Sequence, residues 1–216
     1  MSTAIIFDLD GTLADSTDCV VYAAQHVGHI HGLRTVTDDQ IRHRIGEPLG
    51  PMLAALFGAD GDLLQQLVKD YSTAYVQGTS TLERPFDGAL ALLETLRTEG
   101  RKIAIATGKS QNGAEHATAR MGLAPYFDSI HGILPGTPGK PHPAVLQRAM
   151  QALGVDAANA VMVGDTTYDL DLSAAIGVDS VAVSWGVHDV ETLRGRSPRA
   201  LVHSMEELLE WLLVHT

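Results

Sequence analysis

The stretch FDLDGTLADS, residues 7–16, sets Asp8 and Asp10 two positions apart at the end of a short apolar run and follows them with a glycine and two hydroxyls. Side chains alternate along an extended chain, so the two carboxylates can share a face while Leu9 packs on the other. Gly11 then permits a sharp turn. Comparable polar clusters follow two other apolar runs: Thr107-Gly108-Lys109-Ser110 after KIAIA (102–106), and Gly164-Asp165-Thr166-Thr167-Tyr168-Asp169 after AVMV (160–163). A fourth cluster is TPGKPHP (137–143), where prolines stiffen the backbone on both sides of Lys140.

Carboxylates as dense as Asp8, Asp10, Asp165 and Asp169 cannot all stay ionised without a cation. A donor set of oxygens alone, with no His or Cys, favours a hard ion, and Mg²⁺ is the natural choice. Because Mg²⁺ keeps places for water and a substrate phosphate, phosphoryl transfer is the leading reaction. In it Asp8 attacks phosphorus to give an aspartyl-phosphate, and Asp10 protonates the leaving oxygen and later activates water. Thr107, Gly108 and Lys140 form the phosphate-binding positions, with Lys140 supplying positive charge.

The elements that must bring these clusters together are legible as alternating periods. AIIF (4–7), KIAIA, AVMV and SVAV (180–183) read as buried strands, and helical segments lie between them at 88–100, 143–154 and near the C-terminus. Such alternation implies a parallel sheet with helices on both faces, and ligands in such sheets sit beyond the carboxyl ends of the strands. Residues 15–84 break the pattern. They hold helical stretches at 17–29, 37–45 and 61–77, with turns at GEPLGP (46–51) and LFGADGD (56–62), and no convincing buried strand. The expected architecture is therefore a Rossmann-like α/β core of residues 1–14 and 85–216 with a helical cap, 15–84, inserted after the first strand; its hinges fall at Ala14–Asp15 and Arg84–Pro85. Capping boxes are expected at Thr37/Gln40 and Ser204/Glu207, and Asp15 with Ser16 is expected to cap the first inserted helix.

Composition narrows the class. The 216 residues suffice for one catalytic core with a small insertion, and the single cysteine, Cys19, excludes an intrachain disulfide and a cysteine-rich zinc site. A net charge of −11 disfavours general attraction to nucleic acid or anionic lipid. Without a signal-like start or a long apolar run, the protein is expected in the cytoplasm, away from membranes.

The ordered set FDLDGTL, a Thr after the second core strand, a Lys in a Pro-flanked loop, and GDxxxD resembles the haloacid dehalogenase-like hydrolase superfamily, in particular its helical-cap phosphatases. DGTLADS, TGKS, GKPHP and GDTTYDLDLSAAIG resemble the phosphoglycolate phosphatase-like members. The resemblance implies Asp8 as nucleophile and metal ligand, Asp10 as acid/base and backbone-carbonyl ligand, and Thr107 and Lys140 on the phosphate. It also implies Asp165 on the metal and Asp169 in its outer shell. A small phosphorylated metabolite is the implied substrate. Asp10 speaks against a true dehalogenase, which needs no acid there. A sugar-phosphate mutase, a pyrophosphatase or nucleotidase, and a non-catalytic binding module of the same fold stay open, as does the oligomeric state.

Other polar residues carry weaker expectations. A calcium loop is rejected because Gly11 is fourth in the motif and Cys19 occupies the twelfth place. Lys109 either reaches the phosphate or faces solvent. Arg44, beside a Gly46-containing turn, is the candidate substrate contact of the cap, against a solvated helix face. His142 is expected to be structural, and the remaining histidines to lie on the surface or in the cap. Trp185 is expected to pack in the core or at the site rim.

Overall fold

The computed structural model describes residues 4–216, and of 78–81 the backbone alone. Two compact units emerge: the chain up to Ala14 together with Pro85–Thr216, and Asp15–Arg84. The first holds a six-stranded sheet. Its strands are β1 (Ala4–Phe7), β4 (Ile103–Ser110), β5 (Ser129–Ile133), β6 (Ala160–Gly164), β7 (Asp179–Val183) and β8 (Ala200–Val202), all parallel, in the order β5-β4-β1-β6-β7-β8. The chain steps outward from β1 through β4 to β5, then returns to lay β6, β7 and β8 on the other side. Strand order therefore reverses between β1 and β6, the position where open α/β sheets form a crevice for ligands.

Period-two alternation in β1 sorts the core into two layers. Ile5, Phe7 and Leu9 join Leu92, Leu93 and Leu96 of α5 (Ala89–Thr98) and Leu208 and Leu212 of α10 (Met205–His215) on one face. Ala4 and Ile6 join Val145, Leu146 and Ala149 of α7 (Ala144–Leu153) on the other. A strand buried on both faces needs an unbroken apolar run, which is why β1 and β6 stand out in the sequence. The remaining helices of this unit are α6 (Gln111–Arg120), α8 (Thr167–Ala174) and α9 (Val190–Arg194).

The second unit contains α1 (Thr17–Ile30), α2 (Asp38–Arg42), α3 (Leu49–Phe57) and α4 (Gly61–Leu82), and the connecting strands β2 (Ala14–Asp15) and β3 (Arg84–Pro85) pair with one another. Ile41, Leu53, Leu56 and Leu67 are buried within it. Arg34 donates to the carbonyls of Leu56 and Ala55 at 2.6 and 3.3 Å, which satisfies the open end of α3.

Several local expectations change. The helix expected over 37–45 ends at Arg42, and α4 runs five residues past 77. Thr37 and Gln40 do form a reciprocal capping box. Ser16 occupies the N-cap of α1 but its side chain makes no capping bond, and Asp15 pairs instead with Arg84 at 3.3 Å. At α10, Ser204 accepts from the Glu207 N–H, while the Glu207 carboxylate reaches one residue further back, to the His203 N–H. Strand β5, SIHGI, carries no apolar run of the kind that revealed the others, and β8, ALV, is only three residues long; both lie at the sheet's edges.

Candidate active site

Asp8 follows β1 directly, and its N–H donates to Val163 O of β6 at 2.9 Å, so the carboxylate leaves the sheet at the strand-order reversal. Asp165 follows β6, and Asp169 lies in the first turn of α8. One oxygen from each of Asp8, Asp165 and Asp169 falls within a 4.8 Å cluster, and all three residues are buried. Into this cluster comes the Lys140 ammonium, 2.7 Å from Asp8 Oδ1 and 2.5 Å from Asp169 Oδ1. Lys140 is itself only 4% exposed.

Electrostatics follow from that census. One ammonium faces three carboxylates, leaving two negative charges uncompensated in a buried place. Burial pushes the Asp8 carboxyl up to about 7; Lys140 pulls it down, and the Asp169 and Asp10 charges push it up again. Burial raises Asp165 well above the usual carboxylate range as well, aided by Asp169 and Asp8. Burial alone would lower Lys140, but the Asp169 and Asp8 carboxylates outweigh it and hold the ammonium above the usual lysine range. A divalent cation matches both the charge deficit and the all-oxygen donors, so the residues fit Mg²⁺.

The surrounding residues hold these groups in place. Thr12 Oγ1 donates to Asp165 Oδ1 at 2.8 Å, and the Val187 N–H donates to Asp165 Oδ2 at 2.8 Å. Trp185 Nε1 donates to Thr12 O at 3.0 Å, tying the loop after β7 to the loop after β1. Gly11 has φ +79°, and a methyl there or at Gly186 would overlap the Asp165 carboxylate, so the backbone closes on this side chain from two directions. Asp169 divides its oxygens: Oδ1 meets Lys140, while Oδ2 accepts from Thr166 N–H at 3.1 Å and Thr166 Oγ1 at 2.7 Å, bracing the start of α8.

Thr107 is 1% exposed within β4, and Gly108 is open to solvent with nothing near its missing side chain. Asp10 does not join the three clustered carboxylates. Its Oδ1 lies 3.0 Å from Lys109 Nζ, and both side chains are mostly buried. Lys109 therefore does not face solvent, the second of its expected alternatives. Arg44 follows α2 and pairs with Glu47 at 3.0 Å within the inserted unit. His142 Nδ1 accepts from the Ala144 N–H at the start of α7. His188 departs from the surface-or-cap expectation: its Nδ1 accepts from the Thr167 N–H at 3.0 Å, at the first turn of α8. Trp185 packs against the core, as expected. Sequence reasoning passed over Thr12, Val187 and His188 because their partners are remote; Thr12 alone had a local signal, a hydroxyl following the paired acids.

Residues 5–183 match the family model of the haloacid dehalogenase-like hydrolases. The chain belongs to this family. Among curated relatives, "Probable phosphatase IndB" of Dickeya dadantii is 31% identical over 97% of this chain and 93% of its own. The phosphoglycolate phosphatase of Neisseria meningitidis is 31% identical over 96% and 92%. A haloacid dehalogenase-like hydrolase from Streptococcus pneumoniae superposes with a TM-score of 0.88 at 27% identity, covering 97% of this chain and 98% of that one. Relatives of this hydrolase also include the tyrosine-protein kinase PtkA of Mycobacterium tuberculosis, 31% identical over 96% of this chain and 72% of its own, so likeness alone selects no substrate. No helix among the described residues is long and apolar enough to cross a membrane.

Proposed function

We propose that this hydrolase is a Mg²⁺-dependent phosphatase of small phosphomonoesters that works through an aspartyl-phosphate on Asp8. The observation that carries the reading is the buried Asp8 carboxyl beside Lys140 and clustered with Asp165 and Asp169, three acids against one ammonium. Asp8, Asp165 and Asp169, with the Asp10 carbonyl, would hold the cation. When bound, Mg²⁺ supplies positive charge that favours the ionised Asp8 and offsets charge on the phosphoryl oxygens.

Asp8 forms a bond to phosphorus as the bond to the leaving oxygen breaks, and Asp10, protonated for this step although its ionised form pairs with Lys109, gives that oxygen its proton. Asp10, now ionised, takes a proton from water, whose oxygen attacks phosphorus; the Asp8–phosphorus bond breaks and inorganic phosphate departs. Thr107 and the Gly108 backbone donate to the phosphoryl oxygens, and Lys140 favours the ionised form of Asp8 against burial and balances charge. Residues 15–84 act as the cap that selects the leaving group. A phosphoglycolate-like substrate is favoured by the likeness to the Neisseria enzyme, which bears that name.

The test is phosphate release from a metabolite panel with and without Mg²⁺, with Asp8→Asn as control. The reading expects cation-dependent release that the variant loses. Full activity in Asp8→Asn removes covalent catalysis by Asp8, and no release from any phosphomonoester returns the chain to a binding module.

A further inference from the structure

Strand β4 does not run evenly beside β5. Ala106 lies opposite His131, but the next paired residue, Ser110, lies opposite Ile133, so β4 carries a bulge made of Thr107, Gly108 and Lys109. A bulge leaves residues without ladder hydrogen bonds, and the sheet alone does not fix their conformation. Something else must.

The next residue, Gln111, opens α6 and sends its side-chain amide to β5. Its Nε2 donates to Ile130 O at 2.9 Å, and its Oε1 accepts from the Gly132 N–H at 2.9 Å. A neighbouring parallel strand would offer one peptide N–H and one C=O to that pair of groups, so the amide stands in for a strand. Arg148 of α7 closes the brace, donating through one nitrogen to Gly132 O at 2.8 Å and through the other to Gln111 Oε1 at 3.1 Å. Gly132 makes room for this arrangement: a methyl there would lie 2.6 Å from Lys109 O and 2.7 Å from Ser110 O. Helix α7 begins four residues after Lys140. One brace thus joins the far end of the Thr107–Lys109 bulge to the helix that follows the Lys140 loop.

We propose that Gln111 and Arg148 are positioning residues for phosphate binding, holding the bulge that carries Thr107 and Gly108 in register with the Lys140 loop. The inference rests on the reading of Thr107, Gly108 and Lys140 as the phosphate-binding positions. Hydrogen bonds and charge-assisted contacts to a phosphate weaken steeply with misalignment, so a loosened bulge lowers affinity even though every donor is still present.

The probe is inorganic phosphate, measured as an inhibitor of Mg²⁺-dependent p-nitrophenyl phosphate hydrolysis and by calorimetry. Gln111→Ala and Arg148→Ala are each expected to weaken phosphate about three- to thirtyfold, leaving the Mg²⁺ half-saturation in place. The double variant should cost little more than the worse single one, because the brace acts as a unit. The conservative Gln111→Glu and Arg148→Lys variants keep part of the network, should fall between, and serve if the alanine variants fail to fold. A lower melting temperature with unchanged phosphate affinity overturns the inference and makes the brace a seal on the sheet edge. Thr107→Ala runs beside them. If it weakens phosphate and the brace variants do not, only this inference fails; if it too leaves phosphate binding unchanged, the phosphate-site reading fails with it.

Discussion

Lys109 Nζ lies 3.0 Å from Asp10 Oδ1, which makes the second acid of the opening motif one half of an ion pair. Asp8 and Asp10 are two residues apart, yet their side chains have different cationic partners: Lys140 for the first and Lys109 for the second. The proposed nucleophile and the proposed acid/base are thereby kept from competing for one ammonium.

The pairing predicts that Lys109 acts through Asp10. If Asp10 protonates the leaving group, Asp10→Asn should cost on the order of 10²–10⁴ in rate on alkyl phosphates, and much less in the first step with a nitrophenolate leaving group. Lys109→Met should reproduce that dependence on leaving group at a smaller amplitude, about tenfold on alkyl phosphates, by freeing the Asp10 carboxyl from its orientation. Adding Lys109→Met to Asp10→Asn should then cost almost nothing more. Fully additive losses in steady-state kinetics would separate the two residues.

Asp8 predicts how stability depends on pH. Its carboxyl sits at about 7 in the fold against an ordinary 3.8, so the folded chain holds that proton more tightly than the unfolded one does. This contribution to stability is complete below about pH 4 and is lost as pH rises through about 7. Asp165, raised by burial and by its Asp169 and Asp8 neighbours, acts in the same direction. Cation-free wild type should therefore weaken across that window, and Asp8→Asn should flatten the profile and melt roughly 2–6 °C higher above pH 7. Mg²⁺ should stabilise wild type more than the variant. Melting curves from pH 5 to 8.5 with and without Mg²⁺ decide it, and parallel profiles for the two proteins would count against an ionisation burden at Asp8.

The Thr12–Asp165 bond predicts a change in cation affinity without a change in donors to it. Thr12→Val keeps the shape of the side chain but removes the hydroxyl that fixes Asp165 Oδ1, so the Mg²⁺ half-saturation should rise about ten- to a hundredfold. The maximal rate at saturating Mg²⁺ should fall less. An unchanged Mg²⁺ titration of phosphate release would remove Asp165 orientation from the role of Thr12.

How much of this was legible in the sequence depended on how deeply each element is buried. Strands β1 and β6 are apolar on both faces, and their runs end at Asp8 and just before Asp165, so the position of the acids could be read directly. β5, at the edge, is SIHGI, with a histidine and a glycine in place of a run. Lys109 escaped because a bulge, not a periodicity, decides where it points. The bond from Thr12 to Asp165 spans 153 positions and that from Trp185 to Thr12 spans 173, and no local pattern encodes contacts that distant. The capping role of Asp169 and its place in the acidic cluster coexist because a carboxylate has two oxygens.

The last prediction concerns the choice of leaving group. Under the proposed reading, Thr107, Gly108 and Lys140 recognise phosphate, the group common to every phosphomonoester, and the clustered acids hold the cation, so discrimination has to come from other residues. Under the proposed cap role of residues 15–84, Arg44 is the candidate for an anionic leaving group. Its guanidinium already holds Glu47 at 3.0 Å, so a substrate carboxylate must compete with, or share, that partner. Arg44→Ala should lower kcat/KM for a carboxylate-bearing phosphate ester by about ten- to a hundredfold, the range of one charged hydrogen bond, while a small neutral ester barely changes. Glu47→Gln should move the same ratio in the opposite direction, because it releases Arg44 without removing it. The two variants are read as kcat/KM ratios between the esters. Equal losses on both substrates would assign Arg44 to the fold of the insertion, and unchanged ratios in both variants would return the Arg44–Glu47 pair to a half-buried ion pair with no part in selection.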